Sequence, residues 1–227
     1  ISKRLKMFWW GIDTTNKLII LVLLFSFLIR ILFLFYSPFR GWDETVYLNL
    51  GQDLSKNPLV YSLVDSGWND FIPSPDLIYG WPNIGFRAPL LPYILSIFYV
   101  LDLNFLISII IPIIATLSIW LVYLLGGKMF DKKVGLYSAV LFALMPIHVF
   151  YSGKIWTDPL VVFFILLTFL SFWQGYEKGN RKHKVLFGLF LALSLLARYT
   201  TLWIAPVFIF YLLLRDKSLK FLKDKYL

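Results

Sequence analysis

Two adjacent carboxylates, Asp43 and Glu44, follow closely after the first long apolar segment of the chain, residues 18–36. A membrane helix of this length would emerge into water just before them. Charged side chains at such a position face a water-filled cavity or a polar partner, because burying them in lipid is costly. A carboxylate there can accept a proton from a hydroxyl group or orient that group. The pair is therefore the first candidate for a functional site.

Three further charged residues stand at equivalent positions beside apolar segments. Arg87 begins a short apolar segment, Asp158 opens a longer one, and Arg198 lies between two others. Guanidinium groups bind phosphate through two parallel hydrogen bonds. Carboxylates combined with arginines at a membrane surface therefore favour group transfer from a lipid-linked phosphate donor held in the bilayer.

Each of these residues also has a structural explanation. Asp43 or Glu44 could stabilise the first turn of the following helix through the helix dipole. Arg87 could be an interfacial anchor, and Asp158, which precedes a proline, could cap a helix. His148 is expected to be a hydrogen-bonded interior residue, because no partner set for a metal surrounds it in the sequence.

The composition indicates an all-α polytopic membrane protein. The 227 residues are 59% hydrophobic, and the apolar residues form blocks separated by short charged stretches. The absence of cysteine excludes a disulfide framework and thiolate chemistry. The net charge of +9 comes from Lys and Arg residues that flank the apolar blocks. This distribution is typical of cytoplasmic loops and argues against a nucleic-acid partner.

About six membrane elements are predicted from apolar length. A span requires about 20 residues. The thirteen apolar residues at 89–101 are too few to cross, so we expect a juxtamembrane helix there. The last two elements are short and would form a hairpin whose turn contains Arg198. The six predicted elements are residues 18–36, 105–125, 134–152, 159–174, 185–197 and 201–214.

Loop charges predict the orientation. Residues 1–17, 126–133 and 175–184 and the segment from Arg215 onward are basic, whereas 37–104 holds seven acidic residues and three basic ones. The positive-inside rule places the basic loops and the N-terminus in the cytoplasm and residues 37–104 outside. Asp43, Glu44, Arg87, Asp158 and Arg198 then share the outer face.

The order of these elements resembles the GT-C superfamily of membrane glycosyltransferases. It is most similar to the branch containing dolichyl-phosphate-mannose protein mannosyltransferases and lipid A aminoarabinose transferases. The resemblance covers nearly the whole chain. It is carried by the Asp43-Glu44 pair, Arg87 with Pro89 and Leu90, the GGKMFDKKVG stretch at 126–135, Thr157-Asp158-Pro159, and GLFLALSLLARYT at 188–200.

The resemblance implies roles for individual residues. Asp43 would be the general base with Glu44 as its supporting neighbour, and Asp158 a second acid near the sugar or acceptor. Arg87 would contact the lipid phosphate, and Arg198 matches a basic position at the end of the fifth helix. Phe86 stands where the aminoarabinose transferase has a metal-binding glutamate, so no metal ligand is assigned, although a divalent metal is left open.

The expected function is an inverting glycosyltransferase that uses a polyprenyl- or dolichyl-phosphate sugar at the outer face of the plasma membrane, or the lumenal face in a eukaryote. The acceptor would be a protein, a glycan or a lipid. Because the family has further helices, residues 1–227 are expected to form one N-terminal membrane module of a longer protein. Two alternatives are a lipid or glycan transporter, whose charges should lie near the membrane midplane, and a non-catalytic assembly subunit.

Overall fold

The computed structural model describes residues 13–36, 41–63 and 87–216, and every regular element within these ranges is helical. Residues 1–12, 37–40, 64–86 and 217–227 lie outside the described residues, and they include the basic N-terminal stretch, Phe86 and the basic tail. The helices are α1 (Thr14–Tyr36), α2 (Trp42–Lys56), α3 (Leu90–Val100), α4 (Ile107–Met129), α5 (Lys132–Leu144), α6 (Pro146–Ser152), α7 (Thr157–Phe172), α8 (Arg181–Ala197) and α9 (Ala205–Asp216).

Three helical stretches are long and apolar enough to cross a membrane: Thr14–Tyr36, Asn104–Met129 and Thr157–Glu177. They correspond to three of the predicted spans. A fourth predicted span, 134–152, is divided into α5 and α6, which meet at an angle of 62°. Pro146 explains the break, because proline has no N–H for the helix and clashes with the preceding turn.

The remaining elements are shorter. The predicted juxtamembrane helix is present as α3, with 11 residues. The predicted terminal hairpin corresponds to α8 and α9, with 17 and 12 residues, separated by a 3-10 segment at Tyr199–Ile204. The all-α polytopic membrane fold is therefore confirmed.

The two short helices α2 and α3 pack on each other and on the ends of α4 and α7. Tyr47 and Leu48 of α2 join Leu91 and Leu95 of α3 in one buried apolar cluster, which includes Leu160 of α7. This cluster holds the first turn of α2, the start of α3 and the start of α7 beside one another, and each of these carries a candidate site residue.

The helix pair α4 and α5 crosses at two glycines. A Cβ atom on Gly126 would lie 2.8 Å from Cα of Gly135, and a Cβ on Gly135 would lie 2.5 Å from the carbonyl oxygen of Tyr123. Both distances are shorter than van der Waals contact between real Cβ atoms and backbone. The close approach of α4 and α5 therefore requires glycine at these positions.

Replacing Gly135 with alanine should loosen this crossing and lower stability by roughly 1–3 kcal/mol, the usual cost of overpacking. Gly188→Ala is the matched control, because a Cβ at Gly188 meets nothing within 4 Å and alanine favours the helix. Thermal unfolding of the detergent-solubilised protein checks both variants. Equal melting temperatures for the two would contradict a tight α4–α5 crossing.

Candidate active site

A cavity of about 230 Å³ lies where the starts of α2 and α7, the residues before α3 and the turn after α8 meet. Four of the five predicted site residues line it: Asp43, Arg87, Asp158 and Arg198. These four residues are separated by up to 155 positions in the chain. The hydrophobic cluster beneath the cavity brings them together. The other lining residues are Tyr47, Ala88, Trp156, Thr157, Ala197, Tyr199 and Thr200.

Asp43 and Arg87 form an ion pair at one side of the cavity. The Nη2 group of Arg87 donates a hydrogen bond to Oδ1 of Asp43. Asp43 stands in the first turn of α2, where the helix dipole favours a negative charge. Its side chain is 38% exposed and that of Arg87 is 20% exposed. A ligand in the cavity can therefore reach both groups.

Tyrosines hold Arg87 in place. The guanidinium lies 5.5 Å from the ring centre of Tyr47, a distance typical of a cation–π contact. The hydroxyl of Tyr61 donates to the carbonyl oxygen of Arg87 at 3.0 Å, and that of Tyr199 approaches the same oxygen at 3.5 Å. Burial and the neighbouring Tyr199 and Tyr47 hydroxyls raise the pKa of Tyr61, so it remains a donor.

The charge of Arg87 is secured by its partners. Burial acts to lower the pKa of Arg87, but the hydrogen bond from Arg87 to Asp43 and interactions with Tyr47 outweigh this effect. The net result is a pKa above the ordinary value. Arg87 is therefore a cation at neutral pH.

Asp158 and Arg198 form a second ion pair at the opposite side of the cavity. The Nη1 group of Arg198 donates to Oδ1 of Asp158. Arg198 is fixed where α8 ends, and its carbonyl oxygen accepts hydrogen bonds from the backbone N–H and the hydroxyl of Thr201. Both charged side chains are more than a third exposed. Exposed pairs of this kind add little stability, so stability alone does not account for them.

Glu44 differs from its expected place among the catalytic acids. It is 4% exposed and does not line the cavity. Its Oε2 accepts a hydrogen bond from the N–H of Gly41 at 2.8 Å, and its Oε1 accepts one from the N–H of Ile155 at 2.9 Å. The ammonium group of Lys154 lies 3.9 Å from Oε2. We therefore interpret Glu44 as a positioning residue that ties the start of α2 to the segment leading into α7.

Sequence reasoning did not find Tyr47 or Tyr61. A signal for Tyr47 existed, since it follows Asp43 by four residues and residues at that spacing share a helix face.

Among the residues that the structure describes, no group of three metal-ligating side chains occurs. Phe86, where the resemblance implies loss of a metal ligand, precedes the described part of the site.

Truncating Glu44 should cost far more stability than truncating its neighbour Asp43. Glu44→Ala leaves the buried Lys154 ammonium without this carboxylate, and breaking a buried pair costs about 3–5 kcal/mol. Asp43→Ala removes a half-exposed pair and should cost about 1 kcal/mol or less. Chemical or thermal denaturation of the purified variants measures both. A smaller loss for Glu44→Ala than for Asp43→Ala would refute the positioning role.

Comparison with known proteins supports a specific family. The sequence model of the dolichyl-phosphate-mannose-protein mannosyltransferase family matches residues 86–227, which is more than half of the chain. Comparisons with curated proteins and with solved structures give no significant match. The predicted GT-C assignment is confirmed: this chain belongs to the dolichyl-phosphate-mannose-protein mannosyltransferase family, a family of membrane glycosyltransferases.

Proposed function

We propose that this protein transfers a sugar from a dolichyl- or other polyprenyl-phosphate donor to a hydroxyl group of a protein, glycan or lipid acceptor, with inversion. The observation that carries the proposal is the convergence of two carboxylate–arginine pairs on one cavity. A phosphate-linked donor needs cations to bind and release it, and a hydroxyl acceptor needs a base. The cavity offers both within one site.

Donor binding would exchange one anion for another at Arg87. In the structure the Arg87 guanidinium is engaged by the Asp43 carboxylate. A phosphate presents the same kind of acceptor oxygens as a carboxylate, and guanidinium binds either. When the donor phosphate takes Arg87, Asp43 becomes available to a hydroxyl group of the acceptor. This exchange would activate the base only after the donor is bound.

The transfer step then follows as a single displacement. Asp43 accepts the proton of the acceptor hydroxyl while the acceptor oxygen forms a bond to the anomeric carbon of the sugar. The bond from that carbon to the phosphate oxygen breaks, and its electron pair remains on the lipid phosphate. Arg87 and Arg198 stabilise the added negative charge, which is larger in the transition state than in the bound donor. Attack from the face opposite the phosphate inverts the anomeric centre.

A second cavity next to the first supports binding of a lipid-linked donor. It measures about 420 Å³ and shares Arg198 and Thr200 with the first cavity. Its other walls are mainly apolar, with Val161 and Ile165 of α7 opposite Trp203 and Ile204. An isoprenoid chain whose phosphate is bound at Arg198 would continue into this groove without leaving the hydrophobic layer.

We infer that the cavity faces the outside or the lumen. Lys128 at the end of α4 and Lys132 at the start of α5 lie at the opposite helix ends from the cavity, as does Arg181 at the start of α8. Basic residues at one set of helix ends favour cytoplasmic placement of those ends. A pure transporter would instead need its ionisable groups near the midplane, whereas the two pairs stand at helix ends.

Asp43→Asn should abolish sugar transfer without weakening the binding of dolichyl phosphate. The amide cannot accept the proton, yet it competes less than a carboxylate for Arg87, so the lipid phosphate should bind as tightly as before or several-fold more tightly. A transfer assay and a direct lipid-binding titration measure the two properties. Full transfer activity would remove the general-base role, and a large loss of donor binding would argue against the anion exchange.

Arg87→Ala should weaken binding of dolichyl phosphate by more than tenfold while leaving acceptor binding nearly unchanged, because a charge-assisted bond to phosphate contributes roughly 1.5–3 kcal/mol. Lys132→Ala serves as the control, since it removes an exposed cation at the opposite helix ends. Equal losses of donor and acceptor affinity in Arg87→Ala would show that this residue does not contact the phosphate selectively.

A further inference from the structure

Arg30 is a completely buried cation within a membrane-spanning helix. It lies in α1 with 0% of its surface exposed. None of its hydrogen bonds or ion pairs within the described part of the chain involves a carboxylate. A charge in this position is costly and is normally kept for a purpose. Neither the transfer chemistry nor the lipid-phosphate site uses it.

The guanidinium of Arg30 binds both sides of the break between α5 and α6. Its two terminal nitrogens each lie 3.4 Å from the carbonyl oxygen of Ala143, the next-to-last residue of α5. One of them donates to Nδ1 of His148 in α6 at 2.7 Å. The other also donates to the Ser26 carbonyl within α1 at 3.0 Å. The arginine thus supplies donors to the Ala143 carbonyl, one of the last four carbonyls of α5 that the end of that helix leaves without a partner within the helix.

His148 completes this contact as an acceptor. Because its Nδ1 accepts from Arg30, the ring proton must be on Nε2 and the imidazole is neutral. The ring also packs against Phe142 of α5, with centroids 4.2 Å apart, so His148 bridges the break itself. The contacts fix the direction in which α6 leaves α5.

The direction of α6 determines the position of residues 153–158, which lead from α6 into the cavity. After α6 ends at Ser152, Gly153 packs so closely on α1 that a Cβ there would lie 2.5 Å from the Phe33 ring. The next two residues reach Glu44: Lys154 by its ammonium group and Ile155 by its backbone N–H. Asp158 follows three residues later. A continuous path of contacts therefore runs from the helix break to the carboxylates of the cavity.

We propose that Arg30 and His148 are positioning residues for sugar transfer, which act through α6 and the Glu44 contact to set the relative placement of Asp43 and Asp158. The proposal rests on the proposed function of the cavity. Catalysis by positioning is sensitive to small displacements, since a shift of about 1 Å can cost on the order of a hundredfold in rate. The guanidinium carries five N–H donors in a planar fork, so one side chain can donate to the Ala143 carbonyl, to His148 and to the Ser26 carbonyl at the same time.

The test compares variants that keep or remove the contacts. Arg30→Lys keeps the charge but not the planar fork of donors, and Arg30→Met removes both. His148→Asn keeps an acceptor near the position of Nδ1, and His148→Leu removes it. Gly135→Ala is the control for general loss of stability, because it loosens the α4–α5 crossing without contacting this network.

We expect kcat per folded molecule to fall about ten- to a hundredfold in Arg30→Lys and His148→Leu, with the affinity for dolichyl phosphate changed by less than about threefold. His148→Asn should recover most of the rate. Gly135→Ala should keep kcat at a comparable loss of melting temperature. The double variant Arg30→Lys with Glu44→Gln should lose no more than the worse single variant, because both act on one path. Unchanged kcat in Arg30→Lys and His148→Leu, or additive losses, would overturn the proposal.

A distance measurement tests the same idea without activity. The chain has no cysteine, so spin labels can be placed solely at Gln52→Cys in α2 and Ile147→Cys in α6, both exposed positions. A narrow distance distribution that broadens or shifts in Arg30→Lys and His148→Leu, but not in Gly135→Ala, supports the proposal. A distribution that stays equally narrow and keeps its mean distance in Arg30→Lys and His148→Leu contradicts it, whether or not the protein transfers sugar. Absence of transfer by the wild-type protein would refute the proposed function separately.

Discussion

A charge at or within a membrane must meet water or a polar partner. This constraint determines how the segments around the cavity and around the α5–α6 break are joined. Arg30 meets a carbonyl and an imidazole, Glu44 meets backbone N–H groups and Lys154, and the cavity residues meet one another in two pairs. Each of these contacts joins segments that are far apart in the chain. The helices are consequently joined by polar contacts around the cavity and the α5–α6 break, and by apolar packing along their lengths.

The polar contacts divide into two kinds by exposure. Arg30 and Glu44 are nearly or completely buried and have most of their bonding capacity engaged within the protein, so a ligand cannot displace their partners. The pairs Asp43–Arg87 and Asp158–Arg198 are partly exposed to one cavity, so a phosphate or a hydroxyl group can replace either partner. Buried contacts keep the reacting groups in constant positions, and the two partly exposed pairs can change partners. Group transfer requires both properties.

Much of this arrangement could be predicted from the sequence. The spans followed from apolar length, and the grouping of Asp43, Arg87, Asp158 and Arg198 followed from loop charge, because both depend on local composition. The pairing of each acid with its arginine did not follow, since it depends on how α2, α3, α7 and the α8 turn pack. Glu44 was expected to support Asp43, but its burial against Gly41 and Ile155 could not be predicted, because a sequence does not distinguish a buried carboxylate from an exposed neighbour. The break at Pro146 was missed as well, because the apolar stretch continues through it and apolar length does not distinguish one continuous helix from two that meet at an angle.

The central claim is that the donor phosphate displaces Asp43 from Arg87 and so releases the base. A crystal structure of the protein with dolichyl phosphate bound tests it most directly. We predict a phosphate oxygen within hydrogen-bonding distance of the Arg87 guanidinium, about 3 Å, and an Asp43 carboxylate that no longer accepts from that group. An Asp43–Arg87 pair that stays intact beside a phosphate bound elsewhere would contradict it.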